Sequence, residues 1–357
     1  MIRQEHTSEI IIHVDNLNHN ISVIKERIGD TRKIMAVVKD NAYGHGMFGV
    51  AKHICDHVDW FCVSAIEEGV LLREQGITNP ILVFEVPRSG QASTYAMHDL
   101  TAVVSDLLTI DELSPGTNYH VLFDTGMHRL GLSKGDIQDI KEQIERRADV
   151  HCTGIFTHYA NSDIKDDSRV RDQYVLFKEI RSHFSDDLYT HTANTGAIFN
   201  YPEKYWFDGV RPGIGLYGYG PDENSVVDGL LPSMEWNSYI SQVRGIKKGS
   251  YVSYGNEWQA PSDGFIATVP VGYSDGIDRK MKNKIHFMHN GMVFPQVGNI
   301  TMDYIMLFSP TSDFTKGGKV KLLDLNEHNF RYWCKLSETI LYEPMVSIPR
   351  GISRVYK

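Results

Sequence analysis

A lysine stands where an apolar run stops. In "IMAVVKDNAYGHG" (34–46), five apolar residues lead into Lys39 and a polar, glycine-bearing turn follows at once. A strand-end amine either snorkels to solvent or is held to form a Schiff base with a carbonyl compound. On this stretch alone the two readings are even. Two later stretches suit an anion. "HTANTGAI" (191–198) offers the Thr195 hydroxyl and the Gly196 amide, and "RPGIGLYG" (211–218) offers the backbone N–H groups of Gly213 and Ile214. If Thr195 opens a helix, the N-terminus adds to the attraction. Gly213, Gly215 and Gly218 spell GxGxxG, but they follow Arg-Pro and run on as loop, so no dinucleotide site is indicated. Arg129 lies in the glycine-flanked "DTGMHRLG" (124–131), and Tyr273 closes a strand-like run at "PVGYSDG" (270–276). A tyrosine there is most simply half-buried strand. As an acid/base it needs a cationic or histidine-linked neighbourhood.

These residues need elements that bring them together. Short apolar runs at 34–39, 60–65, 81–84, 101–105, 119–124, 152–158, 188–193 and 209–215 read as eight strands. Helical patterns separate several of them, as in "SAIEEGVLLREQG", "SKGDIQDIKEQIERRA" and "DDSRVRDQYVLFKEIRSHF". Strand–helix alternation implies parallel pairing, and eight such units predict a (β/α)8 barrel with its working residues at the C-terminal strand ends. Those ends are polar: Lys39, Ser64, Ser105, Asp124, His158 and Asn194, with Arg211 inside the eighth run. The rhythm changes near Pro232. Beyond it, alternating runs with glycine turns predict a mostly β domain over 235–357, after an α/β barrel domain over 10–234. The strand-like run 9–14 is expected to join the β domain, so 1–14 belongs with it in part. Only "RYWCKLSETILYE" there has a helical period.

Composition narrows the function classes. The 357-residue chain is 41% hydrophobic and 23% charged, with a net charge of −9 and no basic block. That argues against a nucleic-acid partner. No apolar run approaches the roughly 20 residues of a membrane span, and the N-terminus lacks a secretory pattern. The four cysteines show no CxxC spacing, and His53 and His57 lack a third ligand, so no metal is expected. A soluble, cytoplasmic protein is the expectation.

Taken in order, "AVVKDNAYGHG", "DTGMHRLG", "GIFTHYA", "HTANTGAI", "DGVRPGIGLYG", "VSYG", "PVGYSDG", "GNITMD" and "SRVY" resemble the alanine racemase family of pyridoxal-phosphate enzymes. The resemblance spans nearly the whole chain. It implies a barrel with a C-terminal β domain, and a homodimer that interconverts L- and D-alanine by a two-base mechanism, supplying D-alanine for peptidoglycan. By the same resemblance Lys39 holds the cofactor as an aldimine and serves as one base. Tyr273 is the other, given to the partner's site together with the backbone of Met302. Tyr43, Thr195, Gly213, Ile214 and Tyr356 match phosphate-holding positions, with Asn194 beside them. Arg211 matches the arginine at the pyridine nitrogen, His158 the histidine linking it to the tyrosine, and Arg129 a substrate-carboxylate contact. Tyr356 would also bound the side-chain pocket and favour alanine over serine or larger amino acids. A serine or broader-specificity racemase is the alternative.

The chain departs from that pattern at Leu122. The family often has there a lysine, modified to a carbamate, that orients the arginine. Without an amine at this position Arg129 needs another anionic partner, and a small anion such as chloride is expected beside it. Asn299, Thr301 and "RGISRVY" also differ from the usual residues, which bears on substrate choice more than on reaction type.

Overall fold

The computed structural model describes residues 8–222 and 224–357. The first seven residues of the segment 1–14 therefore lie outside the described residues.

Uninterrupted apolar runs give strands buried on both faces, which suits a parallel barrel under a coat of helices. Eight such strands close in chain order: β2 (Lys33–Val37), β3 (Trp60–Val63), β4 (Ile81–Val83), β5 (Leu100–Val104), β6 (Asn118–Leu122), β7 (His151–Phe156), β8 (Tyr189–Asn194) and β9 (Gly209–Arg211). β9 returns to pair in parallel with β2, Lys33 opposite Gly209. Each of the eight expected strands is present with shifted ends. The largest shift is at β9, which stops at Arg211 because Pro212 has no N–H to continue the ladder. The three expected helical patterns are helical, at Ile66–Glu74, Ile137–Arg146 and Ser168–Arg181. Ile214–Tyr217, read as loop, forms a short 3-10 turn.

The chain enters through β1 (Ser8–Ile12), which lies in the second domain's sheet, as its apolar pattern predicts. It pairs antiparallel with β10 (Met234–Tyr239) and parallel with β17 (Ser353–Tyr356). The six-stranded order is β14-β13-β16-β10-β1-β17, with β13 (His286–His289), β14 (Met292–Pro295) and β16 (Lys319–Leu323). A three-stranded sheet, β11-β12-β15, holds Gln242–Ile246, Gly264–Val269 and Ile305–Ser309. The period-3.6 segment near the C-terminus forms the helices Phe330–Ser337 and Tyr342–Ser347.

The two parts share one hydrophobic core, which runs from Ile10 and Ile12 through the barrel interior to Trp236 and Trp333. Helix Val14–Ile28, which follows β1, is locked in place by Asn20. That buried amide donates to the carbonyl oxygens of Leu216 (3.0 Å) and Leu231 (2.9 Å) and accepts from Leu231 N (2.8 Å). All of its chief hydrogen-bonding capacity is met, which is the condition for burying an amide at low cost. The helix that follows β1 is thereby fixed against the segments that follow β9.

Candidate active site

A cavity of about 600 Å³ opens where β2, β3, β4, β6, β7, β8 and β9 end. Lys39, Tyr43, Arg129, His158, Asn194, Thr195, Arg211, Gly213 and Ile214 all line it, so one mouth gathers nine of the residues singled out from the sequence.

Lys39 does not simply end a strand. β2 stops at Val37, and Asp40, Asn41, Ala42 and Tyr43 then take φ values of 52°, 58°, 53° and 51°. This is a turn of left-handed helix in non-glycine residues, each costing about 1–2 kcal/mol over the right-handed form. Backbone bonds Ala42 N→Val38 O (2.8 Å) and Gly46 N→Asn41 O (2.9 Å) close it, and Asn41 Oδ1 accepts Met47 N (3.1 Å). Strain concentrated beside one amine is the pattern of a functional segment. The turn also sends the Tyr43 hydroxyl to the opposite wall, where a Cβ on Gly213 would come within 2.5 Å of it. Burial pushes the Tyr43 phenol well above its usual range, so it stays protonated and can donate.

The Gly213 and Gly215 amides both donate to Thr195 Oγ1, at 3.1 and 3.2 Å. Thr195 opens the short helix Thr195–Asn200 that the sequence raised as a condition, and Asn194 caps it by accepting Ala197 N (3.1 Å). Two loops and a hydroxyl thus meet at one corner.

Arg211 is 2% exposed, and among the described residues it pairs with no carboxylate. Its guanidinium donates to the carbonyl oxygens of Thr157 and Thr192, both at 3.0 Å, to His158 Nδ1 (3.2 Å) and to His191 Nδ1 (2.5 Å). Burial lowers its pKa to about 10, which leaves it charged at neutral pH. His191 Nε2 then donates to His120 Nδ1 (2.8 Å), and His120 Nε2 has no partner among the described residues. Sequence reading missed this buried pair. Its signal was present, a histidine in mid-strand in both "NYHVL" and "YTHTAN", but sixteen histidines diluted it.

Burial, with the nearby Arg211 charge, pushes the imidazoles of His120 and His158 down to about 3 and that of His191 well below its usual value. Burial likewise takes His45 to about 3. Folded pKa values below the unfolded value of about 6.5 mean that the unfolded chain binds more protons between the two. Stability should therefore fall as pH drops from about 6.5 toward 3, by up to about 1.4 kcal/mol per pH unit for each neutral histidine. Denaturant midpoints taken from pH 7 to pH 4.5 test this. A flat profile would show that these rings protonate while folded.

Arg129 is exposed in the protomer and pairs with no acceptor among the described residues. Leu122 lines the cavity as an apolar wall. The loop that carries Arg129 is organised instead by Asp124, whose Oδ1 accepts Gly126 N, Met127 N and His128 N at 2.9–3.1 Å. Burial alone would raise the Asp124 carboxyl, but these N–H groups and the His128 charge hold it below its usual range. Gly131, at φ 124°, is required there, since a Cβ would lie 2.5 Å from Asp124 N.

Three of the twelve residues matched to family site positions, Tyr356, Tyr273 and Met302, lie outside the cavity. Tyr356 is a correction: it belongs to β17, its hydroxyl donates to the carbonyl oxygens of His45 and Gly46 (both 3.1 Å), and its ring stacks on His53. The sheet register of β17 against β1 aims it at the helix Met47–Ile54 rather than at the barrel mouth. Tyr342 and Val346 line the cavity from the C-terminal side instead. Tyr273 and Met302 are 43% and 53% exposed and form one outward tip, with Ser274 N donating to Met302 O (3.1 Å). Gly272 permits that tip, because a Cβ would sit 2.2 Å from the carbonyl oxygens of Thr301 and Met302.

Comparison with known proteins places these features in one family. The description "Alanine racemase, N-terminal domain" matches residues 12–221 and "Alanine racemase, C-terminal domain" matches residues 233–356. The chain is 32% identical to alanine racemase 2 of Caldanaerobacter subterraneus subsp. tengcongensis, covering 98% of this chain and 94% of that one. It is also 32% identical to alanine racemase 1 of Bacillus subtilis, over 97% and 92% of the two chains. The solved alanine racemase of Clostridium difficile 630 superposes with a TM-score of 0.93 at 31% identity, covering 99% and 96%. An alanine racemase from Bartonella henselae with covalently bound pyridoxal phosphate superposes at 0.88 and 26% identity, covering 99% and 100%.

Proposed function

The chain belongs to the alanine racemase family, and on that premise we propose how its own residues interconvert L- and D-alanine. It is an isomerase that depends on pyridoxal phosphate. The donor set suits that group. Lys39, Arg129 and Arg211 face the cavity, while Asp124 is occupied by backbone amides and Glu85 by Ile66 N (2.8 Å) and Arg88 (3.7 Å). The third lining carboxylate, Asp40, pairs with Lys39 at 4.0 Å, so Arg129 and Arg211 are the cations without a carboxylate partner among the described residues. Lys39 would attach the cofactor, Tyr43, Thr195, Gly213 and Ile214 would hold its phosphate, and Arg211 would face its ring nitrogen.

Bound pyridoxal phosphate supplies an electron sink for the carbanion at the substrate's Cα. The protein's part is to move one proton. Lys39 Nζ serves one face of Cα, and the Tyr273 hydroxyl of the partner protomer serves the other. One group accepts the Cα proton and the other donates one, so no net proton is consumed. Arg211 keeps its proton at neutral pH, so it would donate a hydrogen bond to the ring nitrogen without protonating it, and the bound group would be the weaker electron sink for that. That disfavours transamination. His158, neutral and accepting from Arg211 at Nδ1, is left with its proton on Nε2 for the tyrosine. The observation that carries this reading is the buried, carboxylate-free Arg211 in the same cavity as Lys39.

On this reading the barrel, 10–234, carries the cofactor end, and 235–357 supplies Tyr273 and Met302 to a second copy. The exposed tip around Tyr273 supports a homodimer. No helix of the described residues is long and apolar enough to cross a membrane. We place the protein in the bacterial cytoplasm, making D-alanine for peptidoglycan. Purified protein should turn over L-alanine well above L-serine, measured side by side at equal concentration. A clear preference for serine would replace this reading with the broader-specificity one.

Arg129, with Leu122 beside the cavity and no carboxylate partner among the described residues, is assigned a bound chloride. Exchanging chloride for gluconate should raise the KM for alanine several-fold and leave kcat less affected. Unchanged KM would remove the anion.

A further inference from the structure

We infer that Glu68 is a positioning residue for Lys39, acting through the left-handed turn that follows it; the inference rests on Lys39 being the cofactor lysine. Glu68 lies in the helix Ile66–Glu74 and is 6% exposed. A buried carboxylate persists only when its oxygens are supplied with donors. Its Oε2 accepts the Ser64 N–H (3.1 Å) and the Ser64 hydroxyl (3.0 Å), tying the end of β3 to the start of its own helix. That half ties the first turn of the helix to Ser64, the residue before its N-cap Ala65.

The other oxygen reaches elsewhere. Glu68 Oε1 accepts Asn41 N at 3.3 Å, inside the left-handed turn, and Arg350 Nη2 at 3.4 Å, from the second domain. Asn41 is the residue that closes the turn on its C-terminal side, where its carbonyl accepts Gly46 N and its side chain accepts Met47 N. The left-handed conformation is intrinsically disfavoured for Asp40, Asn41, Ala42 and Tyr43, so it holds only while outside partners hold it. The anionic bond from Glu68 is such a partner, and charge-assisted bonds are the stronger kind. Lys39 directly precedes the turn. Its long side chain has several free torsions, and the backbone beneath it decides where the amine can reach. Glu68 therefore couples the aim of Lys39 to β3 and, through Arg350, to the domain above.

The test separates aim from binding. Cofactor-free Glu68→Gln and parent protein are mixed with pyridoxal phosphate. The rate of covalent capture at Lys39 is followed by absorbance and located by borohydride trapping and peptide mass. Affinity for pyridoxamine phosphate, which cannot be captured by an amine, is measured beside it. We expect capture at Lys39 to slow at least about tenfold, with pyridoxamine phosphate affinity changed less than about threefold and the thermal midpoint within a few degrees. Parental capture rate would overturn the inference. So would equal losses in capture and in pyridoxamine phosphate binding, which mark a merely structural role. If Glu68→Gln fails to fold, Glu68→Asp, which keeps the charge but withdraws it by one methylene, should slow capture at least about threefold, and a parental rate there would equally overturn it. Absence of capture at Lys39 in the parent would instead overturn the role assigned to Lys39.

Discussion

Lys39→Ala should give a folded protein that binds pyridoxal phosphate only reversibly and racemises alanine at least about 10⁴-fold more slowly. Two losses combine in that figure. A positioned acid/base group contributes about 10²–10⁴-fold, and removing this one also removes the covalent hold on the cofactor. The fold should survive, because the Lys39 side chain is 38% exposed and its only ion pair among the described residues is a 4.0 Å contact with Asp40. The absorbance band of the lysine-bound cofactor should vanish, and borohydride should no longer fix label at this position. A variant that kept both the band and the label would mean that another amine holds the cofactor, and the barrel-mouth reading would have to be abandoned.

Tyr273→Phe should lower racemisation by about 10²–10⁴-fold in both directions alike. L- and D-alanine have equal free energy, so kcat/KM must stay equal for the two whatever is mutated. The asymmetry belongs to isotope exchange. In D₂O the enantiomer whose Cα–H faces Lys39 should still exchange its proton with solvent and keep its configuration, while the other enantiomer should not. Equal exchange of both would contradict one base per face. Because Tyr273 lies on an exposed tip and outside its own protomer's cavity, the same scheme makes a cross-protomer test available. Mixing inactive Lys39→Ala and Tyr273→Phe chains should restore some activity, since one of the two sites in a mixed dimer is then intact. No recovery despite proven subunit exchange would argue against the shared site.

Much of this protein is legible before folding is considered. The eight barrel strands are visible because a strand buried on both faces must be apolar throughout, and runs such as Ile34–Val38 leave no polar alternative. The β domain is visible because its sheets mix buried and exposed positions. Lys39, Arg211 and Thr195 are legible as polar residues at strand ends, where a barrel places chemistry. Tyr356 misled for a definite reason. It shares the terminal "SRVY" with a matching pattern, but its direction depends on the register of β17 beside β1, which no local feature of the segment encodes.

The sequence by itself determined the fold class and put Lys39 and two anion-suited loops at barrel strand ends, because each is written in short-range chemistry: apolar period, residue type and glycine placement; the cofactor role of Lys39 came from the family resemblance. Only the tertiary structure decided three other matters. It set the left-handed turn that aims Lys39, a strained conformation that local propensity argues against and that contacts from Glu68 and Asn41 sustain. It brought His120 and His191 from strands far apart in the chain to within 2.8 Å behind Arg211. And it left Arg211 with carbonyl oxygens and neutral rings in place of a carboxylate. Each depends on distances between segments distant in sequence, which the packing of a closed barrel settles and a one-dimensional pattern does not.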